Sequence, residues 1–332
     1  MGEELIVLGT PIFGAPIDAD AVALIESVPG VRFVQMNRDG RLHADAAGAD
    51  VEMANARVLF RGGTPTSVLE HVLARAPRVE WIHSFSAGVE RVATPAVRER
   101  RLLVTNARGV FSRPIAEYVV MMLLAVARRL PQLLELQRER TWQPLRAREL
   151  SGMTVGIIGF GSIGLELARL LEPFGTHVVA VRRHPERGSE GTSAEIHGAD
   201  ALDEVLRAAD AIVLTAPLTG ETADLIGPRE LSVMRPGAWL YNIARGRLID
   251  ERALRAALAA ATIGGAVLDV FREEPLPADS PLYDTPNLII TPHTSWASDQ
   301  VVRRSFELFV GNLRRFVAGQ PLDNLVDLDA GY

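Results

Sequence analysis

The stretch with the most specific chemistry is Gly159-Phe160-Gly161-Ser162-Ile163-Gly164. Its glycines follow the G-x-G-x-x-G spacing of a pyrophosphate-binding turn. In that pattern Gly159 permits a tight turn, Gly161 lets phosphate approach the backbone, and Gly164 lets a helix pack closely on a strand. Glycine turns are common, so the flanks decide. Residues 154–158 form a short apolar run suited to a strand buried on both faces. Residues 165–174 repeat apolar side chains at helical spacing, and 177–181 read as a second buried strand. This context predicts a bound dinucleotide, its phosphates at the helix start, where unpaired N–H groups and the positive dipole end meet them.

The second strand runs into a basic turn. In NAD-binding forms of this motif an acid lies about 20 residues beyond the glycines and bonds the ribose 2′-OH. Here Arg182 stands 18 residues beyond Gly164, Arg183 follows, and no acid precedes Glu186. Two guanidiniums attract a 2′-phosphate that an acid would repel, so the turn predicts NADP, with NAD the second choice. The bland reading is a solvated basic turn.

Three more groups lie at predicted strand ends. Asn242-Ile243-Ala244-Arg245-Gly246 closes one strand, 268–276 with Asp269 and Glu274 closes another, and Thr291-Pro292-His293 follows a third. In open α/β sheets, sites form beyond the carboxyl ends of strands. An arginine, a glutamate and a histidine therefore share an edge with the glycine turn. Each also has a plain reading: Arg245 as a solvated turn residue, Glu274 as a surface acid, His293 as a loop histidine, Asp269 as a loop tie. Ser86, Ala87 and Gly88 end a strand in the first half. Small residues there leave N–H groups for a carboxylate, or simply make a turn.

The elements that must carry these groups alternate along a chain of 332 residues, enough for about two domains. In the first third, strands at 5–8, 31–34, 58–60, 81–84 and 102–105 alternate with helices at 19–27, 66–76 and 94–100. That pattern predicts a parallel sheet covered by helices. Residues 113–130 read as one long helix, apolar almost all round from 118 to 127, hence buried in the fold or between subunits. Residues 132–149 read as a surface linker. Strands at 211–214, 239–242, 265–268 and 288–290 then alternate with helices at 202–208, 229–234 and 251–260. A last amphipathic helix spans 298–318.

Composition narrows the chemistry. With no cysteine, thiol catalysis and Cys–zinc sites are excluded. With no lysine, a Schiff base and a P-loop are excluded too. None of the seven histidines, His43 included, shows zinc spacing. A net charge of −6 offers no basic footprint for nucleic acid. The most apolar run has ten residues, short of the ~20 a membrane helix needs, and no signal segment is visible, so the expected setting is cytoplasmic.

Together the motifs resemble the D-isomer-specific 2-hydroxyacid dehydrogenases, of the glyoxylate/hydroxypyruvate reductase kind. The glycine turn, N-x-x-R-G at 242–246, L-D-V-F-x-x-E-P-L at 268–276 and P-H at 292–293 occur in that family's order, with S-A-G-V at 86–89 and A-E-Y at 116–118. The resemblance implies two similar doubly wound α/β domains, a Rossmann-type cofactor domain (105–294) inserted into a flavodoxin-like substrate domain (1–104 and 295–332). It implies an active site between the domains and a homodimer formed partly by the helix that begins near Arg113. It implies reduction of a 2-keto acid such as glyoxylate or hydroxypyruvate, with Arg245, Glu274 and His293 as the catalytic set. Ser86, Ala87 and Gly88 would join Arg245 and His293 in binding substrate. The cofactor would meet Gly159, Gly161, Ser162, Ile163, Gly164, Arg182 and Arg183, with Ala216, Pro217, Ala244 and Asp269 on its other side.

The side-chain chemistry agrees. Guanidinium is a fixed fork of donors suited to carboxylate. An imidazolium can give a carbonyl oxygen its proton, and a neighbouring carboxylate holds the ring and favours its charged form. The family's phosphite-oxidising members carry a lysine where this chain has Ala87, and its formate-oxidising relatives carry glutamine at the position of Glu274. Both activities are thereby disfavoured. Trp296 follows the histidine closely and reads either as a pocket wall or as core. The competing expectation is a corepressor-like protein that binds NAD(P) as a sensor, since such proteins can keep the triad.

Overall fold

Short apolar runs bounded by turns build two parallel sheets. The computed structural model describes residues 4–42 and 49–328; His43 lies outside them. The chain divides into two units, 1–111 with 299–332, and 112–298.

The first unit holds β1 (Leu5–Gly9), β2 (Val31–Gln35), β3 (Val58–Arg61), β4 (Trp81–Ser84) and β5 (Leu103–Asn106) in the order β2-β1-β3-β4-β5, all parallel. That is the flavodoxin-like order. Helices α1 (Ala19–Glu26), α2 (Ala49–Asn55), α3 (Thr66–Arg75) and α4 (Pro95–Glu99) connect the strands. β3 and β4 are buried along their whole length, as expected of strands covered on both faces. One face packs Leu8, Leu59, Val72 and Ile82. The other is aromatic: Phe60 stacks on Phe306 at 5.0 Å, and Trp81 meets Phe309 at 5.4 Å. Those phenylalanines bring the last helix back to this unit.

The second unit begins with α5 (Ser112–Ala127) and α6 (Leu130–Arg138). The single helix expected over 113–130 is broken by Arg129 in the left-handed conformation, φ 57°. Pro131 then sits in the first turn of α6, where its missing N–H costs nothing. The expected linker is therefore helical up to Arg138. Strands β6 (Thr154–Ile158), β7 (His177–Val181), β8 (Glu195–His197), β9 (Ala211–Leu214), β10 (Trp239–Asn242), β11 (Gly265–Leu268) and β12 (Leu288–Ile290) form one parallel sheet. Its order is β12-β11-β10-β9-β6-β7-β8, so the strand order reverses between β6 and β9. Between its strands run α7 (Ser162–Leu171), α8 (Leu202–Ala208), α9 (Pro228–Val233) and α10 (Glu251–Ala259). The chain ends in α11 (Val301–Val317) of the first unit. β8 and α2 carry no sequence signal strong enough to predict them; β8 is three residues long and two of those are polar. Among the described residues no helix is long and apolar enough to cross a membrane.

Candidate active site

The glycine turn lies at the carboxyl end of β6, beside the reversal of strand order, where ligands of doubly wound sheets bind. Gly159 has φ 102°, and a Cβ there would stand 2.5 Å from the nitrogen of Ala216. The Thr215 hydroxyl donates to the Gly159 carbonyl and closes the same contact. At Gly164 a Cβ would stand 2.8 Å from the Gly159 carbonyl oxygen. Beside Gly161, by contrast, a Cβ would meet no atom within 4 Å. Gly161 also caps α7 without a side chain to bond the first-turn N–H groups. The turn is packed shut at two glycines and open at the third. Exposed Ser162 and half-buried Ile163 begin the helix, and Ala216 and Pro217 stand across from it beyond β9. These residues fit the pyrophosphate of a dinucleotide.

The two arginines after β7 differ. Arg182 is 9% exposed and turned inward. Its Nη1 donates to the Gly188 carbonyl at 3.1 Å and to Glu190 at 3.0 Å, and its guanidinium lies 5.8 Å from the centre of the Phe160 ring. Arg183 stands at the surface and pairs with Glu221 at 2.6 Å. Both carboxylates come from outside the motif, so spacing from the glycines could not reveal them.

Arg245, Asp269 with Glu274, and His293 follow β10, β11 and β12, which are neighbours in the sheet. Asn242 shapes the first loop: its Nδ2 donates to the Arg245 carbonyl at 2.8 Å, and its Oδ1 accepts from the Ala244 N–H at 3.1 Å. The Arg245 guanidinium donates back to the Ala244 carbonyl at 2.8 Å. A Cβ on Gly246 would stand 1.9 Å from the Phe271 carbonyl carbon, so only glycine lets this loop lie on the loop after β11.

Glu274 has two tasks. Its Oε1 accepts from the Phe271 N–H at 2.9 Å, and its Oε2 meets Nδ1 of His293 at 2.6 Å. With Nδ1 committed to the carboxylate, Nε2 is the nitrogen that can give or take a proton. His293 holds φ 50°, a conformation most residues avoid. Its backbone is pinned on both sides: its N–H donates to the Asp269 carbonyl at 2.8 Å, and its carbonyl accepts from the Trp296 indole at 2.8 Å. Half-buried Trp296 is thus a brace on the histidine loop rather than core.

Asp269 is fully buried, and its carboxylate accepts from the Thr291 hydroxyl at 2.6 Å and from the N–H groups of Thr294 and Ser295, each at 2.9 Å. The loop-tie reading of Asp269 holds. Thr291 in turn meets the hydroxyl of Tyr118 at 2.6 Å. Sequence reasoning assigned neither Thr291 nor Tyr118 a part. The visible signal was a hydroxyl on each side of the site, one in an apolar helix and one just before P-H.

In the first unit, β4 runs into Ser86, Ala87 and Gly88. The Gly88 N–H donates to the Ser86 hydroxyl at 3.1 Å, the Ser86 N–H to the Ser84 hydroxyl at 3.3 Å, and Asn106 Nδ2 to the Ala87 carbonyl at 2.8 Å. Two of the expected N–H donors are therefore already met by serine hydroxyls. Nearby, Phe13 packs edge-on against Phe85 at 5.3 Å and borders a cavity of about 170 Å³ with Pro11, Arg38 and Thr64.

Residues 120–295 match the family model described as D-isomer specific 2-hydroxyacid dehydrogenase, NAD binding domain. A glyoxylate reductase of Thermococcus gammatolerans is 36% identical over 267 residues, 77% of this chain and 78% of that protein. A D-3-phosphoglycerate dehydrogenase of Methanocaldococcus jannaschii is 31% identical over 94% of this chain; the chain spans only 58% of that longer protein. Among solved structures, a D-isomer specific 2-hydroxyacid dehydrogenase from Xanthobacter autotrophicus, crystallised with NADPH and MES, is 28% identical with a TM-score of 0.84, covering both chains completely. The matched model, the relatives and the two sheets agree: the chain belongs to the D-isomer-specific 2-hydroxyacid dehydrogenase family of NAD(P)-dependent oxidoreductases.

Proposed function

We propose that the protein reduces a short 2-keto acid, of the size of glyoxylate or hydroxypyruvate, to the D-2-hydroxy acid, with NADPH as preferred cofactor. The observation that carries this reading is the Glu274–His293 pair at 2.6 Å, one strand away from Arg245. The nicotinamide supplies the hydride. Arg245 receives the substrate carboxylate on its guanidinium fork. His293, oriented through Nδ1 by Glu274, delivers a proton from Nε2 to the carbonyl oxygen as it becomes an alkoxide. In the first unit, the loop of Ser86, Ala87 and Gly88 suits a carboxylate, and the cavity of about 170 Å³ beside Phe13 in that unit suits a small group. Asp269 holds the histidine loop.

NADPH is favoured by the surface arginine after β7, Arg183, and by the NADPH held in the Xanthobacter relative. Arg183 is the residue that reaches the 2′-phosphate; displacing Glu221 from it costs little, because exposed pairs contribute about 0–1 kcal/mol. One charge-assisted contact of about 1.5–3 kcal/mol, weakened by solvent, gives a preference of roughly tenfold or more. The protein acts as a homodimer in the cytoplasm. Met121, Leu130, Leu133, Leu134 and Trp142 form exposed apolar surface on and just after α5 and α6, a liability in a monomer and suited to a second copy.

NADPH and NADH oxidation with glyoxylate, hydroxypyruvate, pyruvate and phenylpyruvate tests the reading. Turnover on at least one keto acid, faster at low cofactor with NADPH, is expected. Cofactor binding without turnover on any of them would mark a sensor instead.

A further inference from the structure

We propose that Tyr118 is a positioning residue for the loop that carries His293, acting through the hydroxyl of Thr291 and the carboxylate of Asp269. This rests on His293 as the acid.

Counting protons sets the direction of the chain. The Asp269 carboxylate can only accept, so the Thr291 hydroxyl, 2.6 Å away, spends its one proton there. Thr291 Oγ1 must then accept from the Tyr118 hydroxyl, also at 2.6 Å. Tyr118 is accordingly kept protonated: burial, with the nearby Asp269 charge, pushes it up to about 12. The same carboxylate takes the N–H groups of Thr294 and Ser295, and the Asp269 carbonyl takes that of His293. Three consecutive residues are thus fixed by one acid, and the first of them is held at φ 50°.

The other end of the chain is rigid. Tyr118 belongs to α5, which packs on α7, the helix of the glycine turn, and Arg113 of α5 pairs with Glu166 of α7 at 3.1 Å. One helix therefore supports both the dinucleotide turn and the histidine loop. Without the tyrosine hydroxyl, Thr291 loses its donor and is free to rotate off Asp269, which loosens residues 293–295.

The test uses the full-length protein with Tyr118→Phe, Thr291→Val, the double variant, and Thr291→Ser, which keeps the hydroxyl. Losing one such hydrogen bond should lower kcat about fivefold to tenfold. KM for the keto acid and the NADPH affinity from fluorescence titration should stay within about twofold, since neither the clamp nor the glycine turn is touched. The double variant should be no worse than the poorer single, because both remove one chain of bonds. Thr291→Ser should match wild type. Backbone amides of 293–295 should exchange hydrogen faster in Tyr118→Phe and Thr291→Val, a readout that needs no turnover. Losses that multiply in the double variant, or unchanged amide exchange in Tyr118→Phe, would overturn the inference. If the wild-type protein turns over no keto acid, the reading of the reaction fails, and amide exchange alone decides this one.

Discussion

Both units are parallel sheets whose strands end in loops fit for a ligand, yet they hold those loops differently. In the first unit the loop after β4 is short and small; its Ser86 and Gly88 N–H groups donate to the hydroxyls of Ser84 and Ser86, and its Ala87 carbonyl accepts from Asn106. In the second, the loop after β12 is pinned by a fully buried carboxylate and faces a second one through His293. A loop that offers backbone donors needs only the right turn. A loop that must aim one titrating side chain needs charged anchors from neighbouring strands. The two units also treat buried ionisable groups differently. Asp269 is surrounded by donors, whereas His83 lies among Phe60, Trp81 and Phe309 with Thr105 Oγ1 at 2.8 Å, and among the described residues its Nε2 has no partner. Desolvation there pushes His83 down to about 3.

The comparison is broken most directly at the acid. His293→Asn should cost about 10²–10⁴ in kcat for reduction, the range of a positioned general acid. Ser86→Ala should cost less than about tenfold, since backbone groups remain. Equal losses would mean that the first loop is as side-chain-dependent as the second. Arg245→Lys keeps the charge but loses the fork, and should remove about 2–4 kcal/mol of transition-state stabilisation. Turnover near wild type would reduce Arg245 to a structural part.

His83 gives a stability prediction confined to the first unit. Its folded value lies below its unfolded value of 6.5, so between pH 6.5 and about 3 the unfolded chain takes up a proton that the folded state refuses. The stabilisation is complete above pH 6.5 and falls as pH drops, by ~1.4 kcal/mol per unit, or about 2 kcal/mol at pH 5. Urea unfolding of wild type and His83→Gln, followed by Trp81 fluorescence, should show the extra acid slope only in wild type. Parallel slopes would place His83 in contact with water. The smallest effect concerns the cofactor. Arg183→Ala should cut the NADPH preference by about tenfold and leave NADH unchanged, as loss of one charge-assisted contact. Arg182→Ala should weaken both cofactors alike, because Arg182 orders the turn rather than reaching out of it. Equal cofactor selectivity in the two variants would erase that division.

Local pattern made much of this legible. The order of N-x-x-R-G, L-D-V-F-x-x-E-P-L and P-H placed Arg245, Glu274 and His293 on one edge, and the structure brings Glu274 and His293 into contact. The tight turn at Gly159 and the close packing at Gly164 could be read from spacing: Gly159 has φ 102°, and Gly164 lies against the Gly159 carbonyl. What stayed hidden depends on distant partners. Arg182 turns inward because Glu190 and Phe160 receive it, and nothing in the turn's own pattern says so. Tyr118 reads as one more residue of an apolar helix until folding brings it to Thr291, 173 positions on. The break at Arg129 was missed because apolar periodicity continues past it into α6. A short edge strand such as β8 offers too few residues for an alternating pattern to show.

The central claim is that Glu274 orients His293 through Nδ1 and that His293 delivers the proton from Nε2. The rate of keto-acid reduction in wild type and Glu274→Ala tests it most directly. Without the carboxylate that meets Nδ1 at 2.6 Å the ring loses the partner that aims it, so kcat should fall by at least about tenfold while KM changes little. A kcat in Glu274→Ala equal to that of wild type contradicts the account.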